Sequence, residues 1–162
     1  MAAQCPSVRS ISTSRMGSWP PQERAKNRFS QISQWSQSLV EAVLLALEIR
    51  PFHSEARLSL IAVAIYDIAV YTREYGPINL SLKTTIRARW KQADLEGAAL
   101  KNVHKRSKVY LINNSPMETR VRRDSLPNCI SIDEFIVCSG SAFGSFIEDL
   151  RGGGLSPPPT PR

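Results

Sequence analysis

Residues 78–90 alternate strictly: Ile78, Leu80, Leu82, Thr84, Ile86, Ala88 and Trp90 are interleaved with Asn79, Ser81, Lys83, Thr85, Arg87 and Arg89. Side chains on a strand point to opposite faces with period two, so the pattern predicts a strand with one buried face and one polar face that turns basic. The neighbouring segments supply layers to cover it. Phe29, Ile32, Leu39, Val40, Val43, Leu44 and Leu47 recur near helical spacing and predict a helix over about 27–48. Pro51 stops it, because the residue before a proline is pushed out of the helical region. Ser54 is placed to cap a second helix, made apolar over most of its circumference by Leu58, Ile61, Ala62, Ile65, Ile68, Ala69 and Tyr71 and ended by Gly76-Pro77. Further on, residues 94–101 predict a short helix, and 108–112, 118–123 and 129–138 predict strands. Phe143, Phe146, Ile147 and Leu150, at i, i+3, i+4 and i+7, predict a closing helix. Helices first and strands after predict an α+β fold in which two N-terminal helices pack on a small, mainly antiparallel sheet with disordered ends.

A chain of 162 residues with 42% hydrophobic content suits one domain. Residues 1–27 are rich in Ser, Arg, Pro and Gln and read as a disordered basic arm, because they bury too little apolar surface to offset the entropy of ordering. Residues 28–151 then form the compact domain. Residues 152–162, GGGLSPPPTPR, read as a flexible joint with an extended tip at Pro157, Pro158, Pro159 and Pro161, suited to an SH3-like groove. The first nineteen residues hold no apolar core of a secretory signal. The longest apolar stretch, 58–71, is fourteen residues and contains Asp67, too short to span a bilayer. Three cysteines, Cys5, Cys129 and Cys138, make no even disulfide framework. The expected setting is cytoplasm or nucleus, with peripheral membrane contact compatible.

The commoner catalytic patterns are missing. The two histidines, His53 and His104, lie in no nucleophile–base signature. Cys129 and Cys138 are nine apart, which is not zinc-site spacing. No glycine loop has the lysine and strand-to-helix context that cradles phosphate. Asp133 and Glu134, adjacent on a strand, would face opposite sides. The expectation is a non-enzymatic binding or assembly protein without cofactor or metal.

Charge carries more information. Residues 83–123 hold eleven Lys/Arg and three Asp/Glu, net +8, whereas the rest of the chain is −1. Lys83, Arg87, Arg89, Lys91, Lys101, Lys105, Arg106, Lys108, Arg120, Arg122 and Arg123 are the candidate anion-binding residues, for phosphates of lipid or nucleic acid. The same charge would also serve as a solubilising face. Arg122-Arg123-Asp124-Ser125-Leu126-Pro127 matches a basophilic phosphorylation site at Ser125, read by a phosphoserine adaptor. These features suit a small regulatory accessory protein that acts through short motifs and a basic nucleic-acid or nuclear-import patch.

A basic start, a helix, the tripeptide Arg50-Pro51-Phe52, a second apolar helix and then strands resemble the matrix proteins of rhabdoviruses. In some of these an Arg-Pro-Phe turn opens the second helix. The resemblance covers about residues 30–90. It implies a virion structural protein that binds an anionic membrane surface through basic residues, condenses a ribonucleoprotein in the host cytoplasm and self-associates.

Overall fold

A computed structural model describes residues 21–58, 61, 64–87 and 89–157, with side chains from residue 31 onward. Most of the N-terminal arm, and Pro158, Pro159 and Pro161 of the proline tip, lie outside the described residues. The elements run α1 (Pro21–Ala46), β1 (Phe52–Ala56), β2 (Tyr66–Thr72), β3 (Gly76–Leu82), α2 (Trp90–Val103), β4 (Lys108–Asn113), α3 (Pro116–Arg123), β5 (Glu134–Val137) and α4 (Ser141–Gly152). The sheet order is β1-β2-β3-β4-β5. The first three strands form an antiparallel meander, while β3, β4 and β5 run parallel to one another. Parallel neighbours need a crossover, and α2 and α3 provide the two here.

Period-two alternation divides the sheet residues between two helical layers. On one face Ile68, Val70, Ile78, Leu80, Leu82, Ile112 and Ile136 pack with Val40 and Leu44 of α1 and Phe143, Phe146, Ile147 and Leu150 of α4. On the other, Ala69, Val109, Leu111 and Phe135 pack with Ala93 and Leu100 of α2 and with Ile61, Ile86 and Ile132 from connections. After α4 the chain returns to the meander. Leu155 bridges Thr72 beyond the end of β1, and the Ser156 N–H donates to the Tyr71 carbonyl at 3.0 Å.

This corrects the expected arrangement of two helices on a mainly antiparallel sheet. One helix precedes the sheet, the sheet is mixed, and helices cover both faces. The predicted second helix is instead β1, a connection and β2, with Ser54 exposed inside β1 rather than capping a helix. A central strand covered on both faces shows a continuous apolar run, which periodicity cannot separate from a buried helix. Ile61 and Ile68 are buried as a core helix would require, but Ile65 is 47% exposed in the connection. Gly76, with φ +73°, does not end a helix; it closes the β2–β3 turn.

The alternating strand also stops early. β3 ends at Leu82, and within it both faces are buried. Residues 83–87 and 89 lie outside helix and strand, and Trp90 opens α2. Residues 118–123, read as a strand, belong to α3. Its start is written in Ser115-Pro116-Met117-Glu118: Ser115 accepts from the Glu118 N–H and Pro116 occupies the first turn, where its missing donor costs nothing. The strand expected over 129–138 shrinks to Glu134–Val137. The segment before it is held by a side chain: Asp94 of α2 accepts the N–H groups of Ile130, Ser131 and Ile132 at 2.9, 2.7 and 3.1 Å.

Candidate functional site

Because β3, β4 and β5 are parallel, their carboxyl ends at Leu82, Asn113 and Val137 share one edge of the sheet. Open α/β sheets bind ligands in the crevice outside the carboxyl ends of their strands. Antiparallel β2 brings its amino end to the same edge, and the pairing of Ile68 with Leu80 sets Asp67 level with Ser81.

Asp67 is the centre of a polar cluster there. Its Oδ2 accepts the Leu82 N–H at 2.7 Å, Lys83 Nζ at 2.8 Å and the Ser81 hydroxyl at 3.4 Å. All three donors use one oxygen, and among the described residues none hydrogen-bonds Oδ1. The Asp67 side chain keeps 29% exposure, against 11% for Lys83. The backbone of Lys83 is clamped as well: its N–H donates to the Ile112 carbonyl at 3.0 Å, and its carbonyl accepts Asn113 Nδ2 at 2.7 Å. The carboxylate and the ammonium are therefore fixed by the ends of three neighbouring strands.

The loop over 83–89 carries the cluster into a cationic surface. Ile86 is fully buried and its N–H donates to Glu118 Oε2 at 2.7 Å, which pins the loop against α3 and leaves Arg87 and Arg89 exposed. Arg122 of α3 reaches across. Its Nη2 lies 3.4 Å from the Arg87 carbonyl, and its guanidinium sits 5.6 Å from the centre of the Trp90 ring. Lys91 Nζ lies 5.9 Å from the same ring. Guanidinium and ammonium groups over an indole gain from the ring's negative face, so Trp90 organises the cations around it.

The eleven predicted cations therefore do not form one surface. Lys83, Arg87, Arg89 and Lys91 follow one another around the carboxyl end of β3, with Arg122 beside them and Arg120 exposed on α3. Lys101 and Lys108 instead flank Asp133, at 2.8 and 3.1 Å, whose carboxylate also accepts the Val109 N–H. Arg123 turns to Glu134 at 3.6 Å and to the Phe135 carbonyl. Lys105 and Arg106 are exposed in the turn between α2 and β4, at the opposite edge of the sheet. Lys83, Arg87 and Arg89 are not on one strand face, since the strand ends before them.

The remaining candidates fall elsewhere. Ser125 is half-buried at the start of a 3-10 turn, and its carbonyl accepts the Asn128 N–H. Pro157 is exposed. His53 is exposed on β1, and His104 caps the end of α2. Cys129 precedes β5 and Cys138 follows it, and burial pushes both thiols above their ordinary pKa, away from the reactive thiolate. Among the described residues there is no group of three or more His, Cys, Asp or Glu side chains placed to hold a metal, and no helix long and apolar enough to cross a membrane.

Sequence reasoning missed Asp67, Ser81 and Asn113. Asp67 did carry a signal, as the single charge inside a fourteen-residue apolar run. Its partner Lys83 is sixteen residues away, a distance set by the β2–β3 hairpin and by no short motif. Comparison with family models, curated proteins and solved structures finds no match, so the reading of this edge rests on its geometry.

Proposed function

We propose that the chain binds nucleic acid across the carboxyl edge of its sheet, where a divalent cation recruited to Asp67 by the bound phosphate would support hydrolysis of a phosphodiester bond. The observation that carries this reading is the one-sided use of Asp67: three donors fix Oδ2, and among the described residues none hydrogen-bonds Oδ1, while Arg87, Arg89 and Lys91, which follow β3 in the chain, are exposed. Lys83 pairs with one oxygen of Asp67, and the other would be open to a divalent cation; magnesium is commonly held by one or two carboxylates together with substrate phosphate and water. When bound, it would polarise a phosphate oxygen and ease deprotonation of a water. Asp67 would hold it through Oδ1. Lys83, fixed on Oδ2, offsets the charge that builds on the phosphate oxygens. The arginines and Lys91 hold flanking phosphates. Water oxygen bonds to phosphorus, the bond to the leaving sugar oxygen breaks, the water proton passes to solvent and solvent protonates the leaving oxygen.

A second reading is binding without cleavage, as in the matrix-like role: polyanion binding, on a ribonucleoprotein or an anionic membrane, by an assembly protein. Ser81 favours it, because among the described residues a hydroxyl rather than a second acid stands at Asp67, and Lys83 pairs with the carboxylate there. Incubating the full chain with labelled duplex and single-stranded DNA and RNA, with magnesium, with manganese and with chelator, separates the readings. Metal-dependent cleavage lost in Asp67→Asn supports the first. Binding in chelator with no cleavage in either metal supports the second, and co-sedimentation with anionic vesicles then distinguishes membrane from nucleic acid. Absence of binding to all of them overturns both.

A further inference from the structure

We infer that α1 pairs antiparallel with the α1 of a second copy of this chain, independently of what the carboxyl edge does. Only one face of this helix is occupied. Val40 and Leu44 are buried against the sheet, whereas Ile32, Trp35, Leu39 and Leu45 are 50%, 78%, 53% and 45% exposed. The exposed set has a period. Ile32, Trp35, Leu39, Ala42 and Ala46 are spaced by three, four, three and four, the a/d repeat of a two-helix seam, and both alanines are exposed. Successive positions of 100° place this seam well away from the Val40–Leu44 face, so the body of the protein does not cover it. An open groove lined by Ile32, Trp35, Ser36, Leu39 and Asn114 runs beside it.

Charge and shape choose the occupant. Over the seam, residues 32–46, the one charged side chain is Glu41, in a chain of net +7. The positions flanking the seam are Gln31, Ser36, Ser38, Val43 and Leu45. Two cationic copies can meet along such a face without like-charge repulsion. Over 32–46 an anionic membrane or polyanion would meet no Lys or Arg, the residues that membrane-surface helices carry on their polar face. The large residues stand at one end of the seam and the alanines at the other. Parallel pairing would set Trp35 on Trp35 and leave a void between alanines. Antiparallel pairing opposes Ile32 with Ala42 and Trp35 with Leu39, each contact occurring twice about the two-fold axis.

Sedimentation of the full chain over a wide concentration range tests this. Wild type should pass from monomer to dimer in the micromolar range, and Trp35→Ala should stay monomeric, with a thermal midpoint equal to that of wild type at concentrations where both are monomers, because the side chain is mostly exposed. Ile32→Lys alone and Ala42→Glu alone should each weaken the dimer at least tenfold. Combined in one chain they should restore it, since residue 32 faces residue 42 of the other copy. A wild type that stays monomeric, a Trp35→Ala dimer as tight as wild type, or a double variant no tighter than the singles overturns the inference. Recruitment of the wild type to uncharged vesicles, lost in Trp35→Ala, would overturn it too, by showing that lipid covers the face.

Discussion

Lys83 Nζ lies 2.8 Å from Asp67 Oδ2, the same oxygen that receives the Leu82 N–H. One carboxylate oxygen thus ties the end of β3 to the start of β2 and holds the lysine at the carboxyl edge. Asp67→Asn keeps an acceptor for Leu82 but strands the Lys83 ammonium, which is 11% exposed. Stability should fall by about 1.5–3 kcal/mol, the range for a hydrogen bond to a charged group, read from urea unfolding. Any metal-dependent cleavage should vanish while the circular dichroism of the fold remains. Full cleavage by the variant would exclude Asp67 as the cation holder.

Asp94 makes stability depend on acid. It is 5% exposed, and burial alone would raise its pKa. The N–H groups of Ile130, Ser131 and Ile132, with the Ser131 hydroxyl, outweigh that and hold the carboxyl below its ordinary value. A carboxylate with a depressed folded pKa contributes stability that is present above the unfolded value, about 3.9, and is lost as pH falls through the folded value. The urea midpoint should therefore drop as pH is lowered beneath about 4. Asp94→Asn should cost about 2–3 kcal/mol near neutral pH and should show a weaker acid dependence. A pH profile parallel to wild type would rule out this group as the source.

Gly97 allows α2 to sit close on the sheet. A Cβ built there would collide with the Ser131 hydroxyl and would come within 2.9 Å of Val109 Cγ2. Both neighbours are buried, and neither is the free end of a long side chain. Gly97→Ala gains helix propensity of roughly 1 kcal/mol but forces the helix outward, at about 1–3 kcal/mol. We expect net destabilisation in thermal melts. A rise in midpoint would mean that the Ser131 loop yields freely.

Much of the secondary structure was legible, and the failures have a common cause. α1 and α4 were announced by residues such as Val40 and Phe146, each buried as its periodicity requires, and α2 and β4 fall on stretches expected to be helix and strand. Ile68 and Val70 misled because β2 is covered on both faces, so its run lacks the alternation of a half-buried strand. Beyond Leu82 the alternation of 83–89 was coincidental, since Ile86 is buried as a loop anchor on Glu118. The site was partly visible as a charge excess, but sequence could not divide it. Only the fold shows Lys101 and Lys108 beside Asp133 and Arg122 beside Trp90.

That division yields the last prediction. Contacts with nucleic-acid phosphates release counterions, and each lost contact lowers the slope of log affinity against log salt by about 0.9 for duplex DNA. Arg87 and Arg122 touch through the Arg87 carbonyl, and Arg122 lies over Trp90 beside Lys91. Lys105 and Arg106 stand at the other edge of the sheet, as exposed as Arg87 and equally charged. A purely diffuse attraction would treat the two pairs alike. A docked backbone would not, because an exposed charge on the opposite edge is screened beyond about 8 Å at physiological ionic strength. In fluorescence anisotropy with a labelled duplex and chelator, Arg87→Ala with Arg122→Ala should lower the slope by about two phosphate contacts and weaken binding at least tenfold. Lys105→Ala with Arg106→Ala should change neither by more than about twofold, roughly 0.4 kcal/mol. Equal losses from the two double variants would show that the whole cationic surface acts as one, and the carboxyl edge would have no privileged part in binding.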